Sequence, residues 1–193
     1  MTTLEPIDLS RLLLPIQPDD HVRPETETPF TLVEYGDYEC PECGRLFSLL
    51  EEMQKEPAFK FRIAYRHYPL SGVHPNAQLA AEASEAASAQ GRFWDMHDLL
   101  FRNQSALRRK HLREYAKRLE LDFDRFENDL REHVYDERVR QQFKLGVQNG
   151  VYATPGLFVN GVRLLNPISS IRTRMQELIN GDTNPTPSTT SVL

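Results

Sequence analysis

The chain has 193 residues, 39% of them hydrophobic and 26% charged, with a formal net charge of −5. That balance belongs to a globular domain large enough to bury its own core, and it excludes a disordered chain and a miniprotein stapled by disulfides. An acidic chain gives no footing for nucleic acid or an anionic membrane, and the basic triplet Arg108-Arg109-Lys110 reads as a solvated helix end.

Residues 1–28 carry Pro6, Pro15, Pro18 and Pro24 and read as an irregular N-terminal arm lying over the domain surface. The start lacks a basic stretch, a long apolar middle and a small-residue cleavage site, because Leu12-Leu13-Leu14 is short and is closed by Pro15. No run approaches a membrane span. The expectation is therefore a cytoplasmic protein without membrane insertion.

Phe30 to Gly36 reads as a short buried strand, Pro41 to Lys55 as an amphipathic helix with Leu46, Leu49, Leu50 and Met53 on one side, and Phe59 to Tyr65 as a second strand. This is a β-α-β unit, whose ligands belong at the strand C-termini. The chain's only cysteines sit there, in Cys40-Pro41-Glu42-Cys43. A thiolate is the nucleophile, and an isolated cysteine near pKa ~8.5 is mostly protonated. With Cys40 capping the helix and Pro41 in its first turn, unpaired N–H groups and the positive dipole end point at the sulfur. That interaction is worth about 0.3 to 2 kcal/mol, or up to roughly 1.5 pKa units. Cys43, one turn further in, is then the resolving thiol. Glu42 places a carboxylate beside Cys40, which opposes the thiolate and argues for a milder, more reducing couple.

A structural disulfide is the weaker reading in a reducing compartment, and two intervening residues close too small a loop to stabilise a fold much. Zinc is weaker still, since one pair supplies two ligands and no second pair or spaced histidines complete a tetrahedral set. No metal and no cofactor are expected.

From Pro75 to about Asn149 the pattern is helical: Ala77–Gln90, Phe93–Phe101, His111–Leu119, Phe123–Glu132 and Asp136–Gln148, punctuated by Gly91, Asn103 and Gly150. Strand pattern returns at Leu157-Phe158-Val159 and Val162-Arg163-Leu164-Leu165, joined by Asn160-Gly161, whose two positions suit the positive φ of a tight hairpin. A closing helix follows from Pro167 to Asn180, with Ile168, Ile171, Met175, Leu178 and Ile179 on its buried face; Gly181 stops it. The expected division is thus an arm at 1–28, an α/β domain at 29–74 and 151–180, a helical insertion at 75–150 and a disordered tail at 181–193.

These features together resemble the DsbA family of thioredoxin-fold proteins, most nearly its thioredoxin-4 branch, which also occurs attached to some bacterial sodium/proton antiporters. The resemblance is carried by Val33 to Cys43, Tyr65-Arg66-His67-Tyr68-Pro69-Leu70, His74-Pro75, Gln90 to Asp98 and Thr154 to Gly161. It implies the thioredoxin fold, β-α-β then β-β-α, with an inserted all-helical block, and a protein thiol–disulfide oxidoreductase. It further implies that Pro155 is cis beside Cys40, that Thr154 offers its backbone to a bound polypeptide, and that Glu34 is a buried acid relaying the proton of the second thiol. A carboxylate in an apolar strand is costly unless protonated, paired or used, although an edge position facing water would also accommodate Glu34. The family usually has His, Tyr or Phe in place of Glu42, so the redox potential is the property this chain leaves open. His67 and His74 fall after the second strand and approach the active-site face, while Trp94 and His97 pack the helical block.

The residues expected to act are Cys40, Cys43 and Glu34 in catalysis, Thr154 and Pro155 in substrate binding, and Pro41 and Glu42 in tuning. Expected partners are protein or small-molecule disulfides and a cellular thiol reductant system. Two other functions fit the same sequence: a polypeptide-binding or chaperone module, and a redox-sensing regulatory domain with little turnover.

Overall fold

The computed structural model describes residue 12 and residues 15–181. The expected tail at 181–193 falls, apart from Gly181, outside the described residues, as does most of the first half of the arm.

A five-stranded sheet forms the centre, in the order β1-β3-β2-β4-β5. Strand β2 (Phe30–Gly36) lies in the middle, parallel to β3 (Phe61–His67) and antiparallel to β4 (Gly156–Val159), which pairs with β5 (Val162–Leu164) across the Asn160-Gly161 turn. Burial on both faces explains why β2 reads as a continuous apolar run rather than an alternating one. The second strand begins two residues later than expected, because Phe61 is the residue level with Phe30 and Phe59 ends the preceding turn. His67 therefore belongs to the strand and not to the loop beyond it.

Residues 1–28 are not irregular throughout. His21–Arg23 forms β1, antiparallel to β3 with His21 level with Tyr65 and Arg23 level with Ile63. Proline-free between Pro18 and Pro24, this stretch has its backbone donors free and satisfies the edge of β3 that would otherwise stand open. Side chains fasten it: Arg66 of β3, 1% exposed, donates to both carboxylate oxygens of Asp20, at 2.9 and 2.6 Å, and to the Pro15 carbonyl at 2.8 Å.

Helix α1 (Pro41–Met53) packs Leu46, Leu50 and Met53 on one sheet face, joined there by Ile171 and Met175 of the last helix. Between α1 and that last helix run α2 (Ala77–Ser88), α3 (Phe93–Arg102), α4 (Arg109–Arg118), α5 (Phe123–Arg131) and α6 (Asp136–Gln148), and α7 (Pro167–Ile179) closes the chain. Helix α6 covers the opposite sheet face, where Phe143 stacks on Tyr68 with ring centroids 4.3 Å apart. The helical block does not have a core of its own. Cys40, Cys43 and Tyr65 share one cluster with Ala80, Phe93, Met96 and Leu100 of the helices, so the block forms one wall of the cysteine site.

Candidate active site

The chain reverses direction between β2 and α1 at Asp37-Tyr38-Glu39, and each of these residues is tied down. Buried Asp37 accepts from the backbone N–H of Glu39 at 2.8 Å and of Leu70 at 2.9 Å, and pairs with His74 at 2.7 Å. Glu39 accepts from the backbone and side chain of Asn76, fixing the entry to α2. Gln104 donates to the carbonyls of Tyr38 and Cys40 at 2.9 and 2.7 Å, occupying space that any side chain at position 44 would fill. Cys40 thus enters α1 from a loop held on three sides, with an extended backbone (φ −73°, ψ 121°) and Pro41 in the first turn.

Both cysteines are free thiols, 3.8 Å apart. Cys40 is 6% exposed and Cys43 not at all, so only Cys40 meets solvent, and it does so at the floor of the surface rather than on a projecting helix tip. Beyond Cys40 lies the loop before β4. The Thr154–Pro155 peptide bond is cis, and the Cys40 thiol points at the Thr154 carbonyl at 3.5 Å. Next to it, Tyr152, Thr154, Pro155, Arg163 and Leu165 line a groove of about 620 Å³ with Glu42 at its rim. Tyr152 and Leu165 are 76% and 58% exposed, a large apolar display for a surface loop.

The two thiols have opposite acidities. Cys40 is lowered to about 5, chiefly by the hydrogen bond from Cys43; burial opposes this, and Thr154 and the backbone N–H groups of Cys43 and Glu42 assist. The Thr154 hydroxyl is buried without a hydrogen-bond partner among the described residues and lies where it can donate to a Cys40 thiolate. Cys43 is raised, first by burial, then by its bond to Cys40 and by the charges of Glu34 and Cys40. The helix start contributes as expected, yet the larger effect comes from the second thiol.

Glu34 lies on the central strand, 2% exposed, and not at an edge facing water. Burial, and then the Cys40 charge, push it up to about 8. The Glu42 carboxylate pairs with Arg45 one turn on at 2.5 Å, and its backbone N–H helps lower Cys40. His74 approaches the site through Asp37. Burial lowers its pKa, but the Asp37 bond and the nearby Asp37 and Cys40 charges outweigh that and raise it. His97 and Trp94 pack among aromatic rings, with His97 bonded to Tyr38 at 3.1 Å.

The structure therefore brings Cys40, Cys43, Thr154 and Pro155 together, puts Glu34 behind Cys43, and pairs the Glu42 carboxylate at the groove with Arg45. Sequence reasoning missed Asp37 and Gln104. Gly44 inside a helix, costing about 1 kcal/mol relative to alanine, was the available signal for the latter.

Residues 17–180 match the Thioredoxin_4 family model, described as thioredoxin. The Na(+)/H(+) antiporter NhaA 3 of Salinispora tropica is 46% identical over 157 residues, which are 81% of this chain and 24% of the antiporter. NhaA 1 of Mycolicibacterium gilvum is 42% identical over 166 residues, 84% of this chain and 27% of that protein. The chain thus spans about a quarter of the length of these curated relatives. Among solved structures, oxidised BdbD from Bacillus subtilis superposes with a TM-score of 0.71 at 24% identity, covering 83% of this chain and 92% of that one. The thiol-disulfide oxidoreductase MdbA from Corynebacterium diphtheriae gives 0.62 at 18% identity, covering 80% and 88%. These are likenesses of fold.

Proposed function

The chain belongs to the Thioredoxin_4 family, and from that premise we propose that it is a thiol–disulfide oxidoreductase exchanging electrons with protein disulfides through Cys40 and Cys43. The observation that carries this reading is the split acidity of two free, neighbouring thiols, one lowered to about 5 at the surface and one raised in the interior.

In the reducing direction, the Cys40 thiolate attacks one sulfur of a substrate disulfide. The substrate S–S bond breaks, the sulfur that was not attacked leaves as a thiolate (the first substrate sulfur), and Cys40 is joined to the attacked sulfur, the second. Cys43 then attacks the Cys40 sulfur while its proton passes to the Glu34 carboxylate. A Cys40–Cys43 bond forms, and the second substrate sulfur departs with its electron pair. The substrate gains two electrons, the protein loses two, and a thiol reductant resets it. Run backwards, the same steps oxidise a substrate dithiol. A polypeptide lying in the Tyr152–Leu165 groove would pass the Thr154 backbone beside Cys40, supplying the seat for the mixed disulfide.

The acidity of Cys40 supports a more oxidising couple, against the reducing bias that Glu42 argues for. A thiolate stabilised at neutral pH stabilises the reduced protein, which makes the couple more oxidising than a dithiol of ordinary acidity. Equilibration with glutathione buffers reads the potential, and insulin disulfide reduction with a dithiol donor reads turnover. Multiple turnovers are expected; their absence in a protein that still forms the Cys40–Cys43 bond overturns the enzymatic reading.

A second reading draws on the antiporter relatives, in which the matching region is about a quarter of the protein. A redox-sensing domain of a membrane transporter would change conformation or partner affinity on oxidation without multiple turnovers, and the same two assays separate it from the enzyme.

A further inference from the structure

Behind Cys43 the sheet holds two buried polar atoms without hydrogen-bond partners among the described residues, Oε1 of Glu34 and the hydroxyl of Tyr65. They come from neighbouring strands. Glu34 of β2 is level with Tyr65 of β3 in a parallel pair, so their side chains leave the same face of the sheet side by side. Tyr65 is fully buried and packs in the same cluster as Cys43.

Its ring is aimed by a missing side chain. A Cβ at Gly36, two residues beyond Glu34 on that face, would stand 2.8 Å from the Tyr65 hydroxyl and closer still to the ring. The ring thus lies across Gly36 and carries its hydroxyl along β2 toward the catalytic end. An unpaired hydroxyl in such a place costs roughly 1 to 3 kcal/mol. In the described structure that hydroxyl makes no hydrogen bond to Glu34; a Glu34 carboxylate turned toward it would gain the donor it needs.

We propose that Tyr65 is a positioning residue of the resolving step: its hydroxyl, laid over Gly36, donates the hydrogen bond that holds the Glu34 carboxylate ready to take the Cys43 proton. This rests on the oxidoreductase reading and deepens it. In the step itself Tyr65 keeps its proton. The Cys43 proton moves to Glu34, the Cys40–Cys43 bond forms, and the substrate sulfur leaves with the electron pair of the broken bond.

The other groups facing Glu34 do not fill this role. Cys40 and Cys43 face it from α1 as reacting atoms, and the Tyr38 hydroxyl is already engaged by His97. The remaining side opens on a pocket of about 20 Å³, lined in part by Arg23 of β1, Glu51 of α1 and His97 of α3. That pocket has room for one water, which is the rival donor.

Tyr65→Phe preserves the ring and removes the hydroxyl. Two readouts test it: the carboxyl titration of Glu34 by carbon NMR in the reduced protein, and the pH profile of resolution, followed as release of a preformed mixed disulfide on Cys40. The variant should raise the Glu34 titration above its wild-type position near 8. It should also slow resolution at neutral pH about tenfold, the loss of one hydrogen bond to a charged group, while Cys40 alkylation keeps its rate. In a Glu34→Gln background, Tyr65→Phe should add nothing. An unmoved Glu34 titration assigns the donor to water and overturns the proposal. An equal slowing in the Glu34→Gln background reduces Tyr65 to packing and overturns it too. Failure of the oxidoreductase reading looks different: no mixed disulfide resolves in either protein, while the titration still reports on Tyr65.

Discussion

Replacing Cys43 by alanine removes the group that does most to acidify Cys40, and the size of the effect separates two explanations of that acidity. Cys40 lies at about 5 with the Cys43 hydrogen bond as the first cause. Hydrogen bonds to charged groups contribute about 1.5 to 3 kcal/mol, or roughly one to two pKa units. A thiol is a weak donor and the two cysteines are 3.8 Å apart, which favours the low end of that range. The Cys40 midpoint should therefore rise by about one unit in Cys43→Ala, while Cys43→Ser, whose hydroxyl is the stronger donor, should hold the midpoint close to the wild-type value. The assay is the pH dependence of thiolate absorbance and of iodoacetamide alkylation, with Cys40 the only cysteine in both variants. A midpoint that stays near 5 in Cys43→Ala would refute the reasoning and assign the acidity to Thr154 and the backbone N–H groups at the helix start.

Other expectations concern neighbouring groups. Glu34 is raised from 4.5 to about 8, so the stability tied to its protonated form is full below 4.5 and is lost as pH rises through about 8. Glu34→Gln should match the wild type near the lower value and exceed it by on the order of a few kcal/mol above the upper one; a urea midpoint difference that does not vary with pH would contradict this. Asp20→Ala takes the carboxylate from the buried Arg66 guanidinium, which also donates to the Tyr35 hydroxyl at 2.9 Å and the Pro15 carbonyl at 2.8 Å, and removing one member of a buried pair costs about 3 to 5 kcal/mol. Denaturation showing less than about 1 kcal/mol, the range of an exposed pair, would mean that the pair is solvated in solution. Glu42→Gln should leave the Cys40 titration in place, since the carboxylate is held by Arg45; a clear fall would show that it faces the sulfur.

What could be read from the sequence was set by short-range chemistry. Pro41 marks a helix start by itself, Asn160-Gly161 marks a hairpin by itself, and the apolar run at Phe30–Gly36 marks a strand buried on both faces, inside which Glu34 had to be exceptional. Strand β1 was illegible because His21-Val22-Arg23 carries little strand signal alone and is ordered by the edge it meets. The Glu42–Arg45 pairing was within reach, because positions three apart on a helix are neighbours. The Asp37–His74, Gln104–Cys40 and Tyr65–Gly36 contacts join residues far apart in sequence, and only packing decides them.

In the exchange reaction proposed above, the arrangement of the three acids would make the first chemical step prepare the second. In the reduced protein the Cys43 proton is held by the Cys40 thiolate, and the Cys40 charge also raises Cys43 and Glu34. Cys43 is therefore a poor nucleophile while Cys40 waits for substrate, and Cys40 is a better one because Cys43 waits beside it. Once Cys40 bonds to a substrate sulfur its charge is gone and it no longer holds the Cys43 proton. Both interior acids then lose a cause that raised them, while burial, the first cause in each, remains, so Cys43 gives up its proton more readily and Glu34 holds one less tightly. No movement of the fold is required for this. The switch is the loss of one negative charge at a surface sulfur, felt 3.8 Å away by a buried thiol that the Asp37 backbone N–H already helps to ionise.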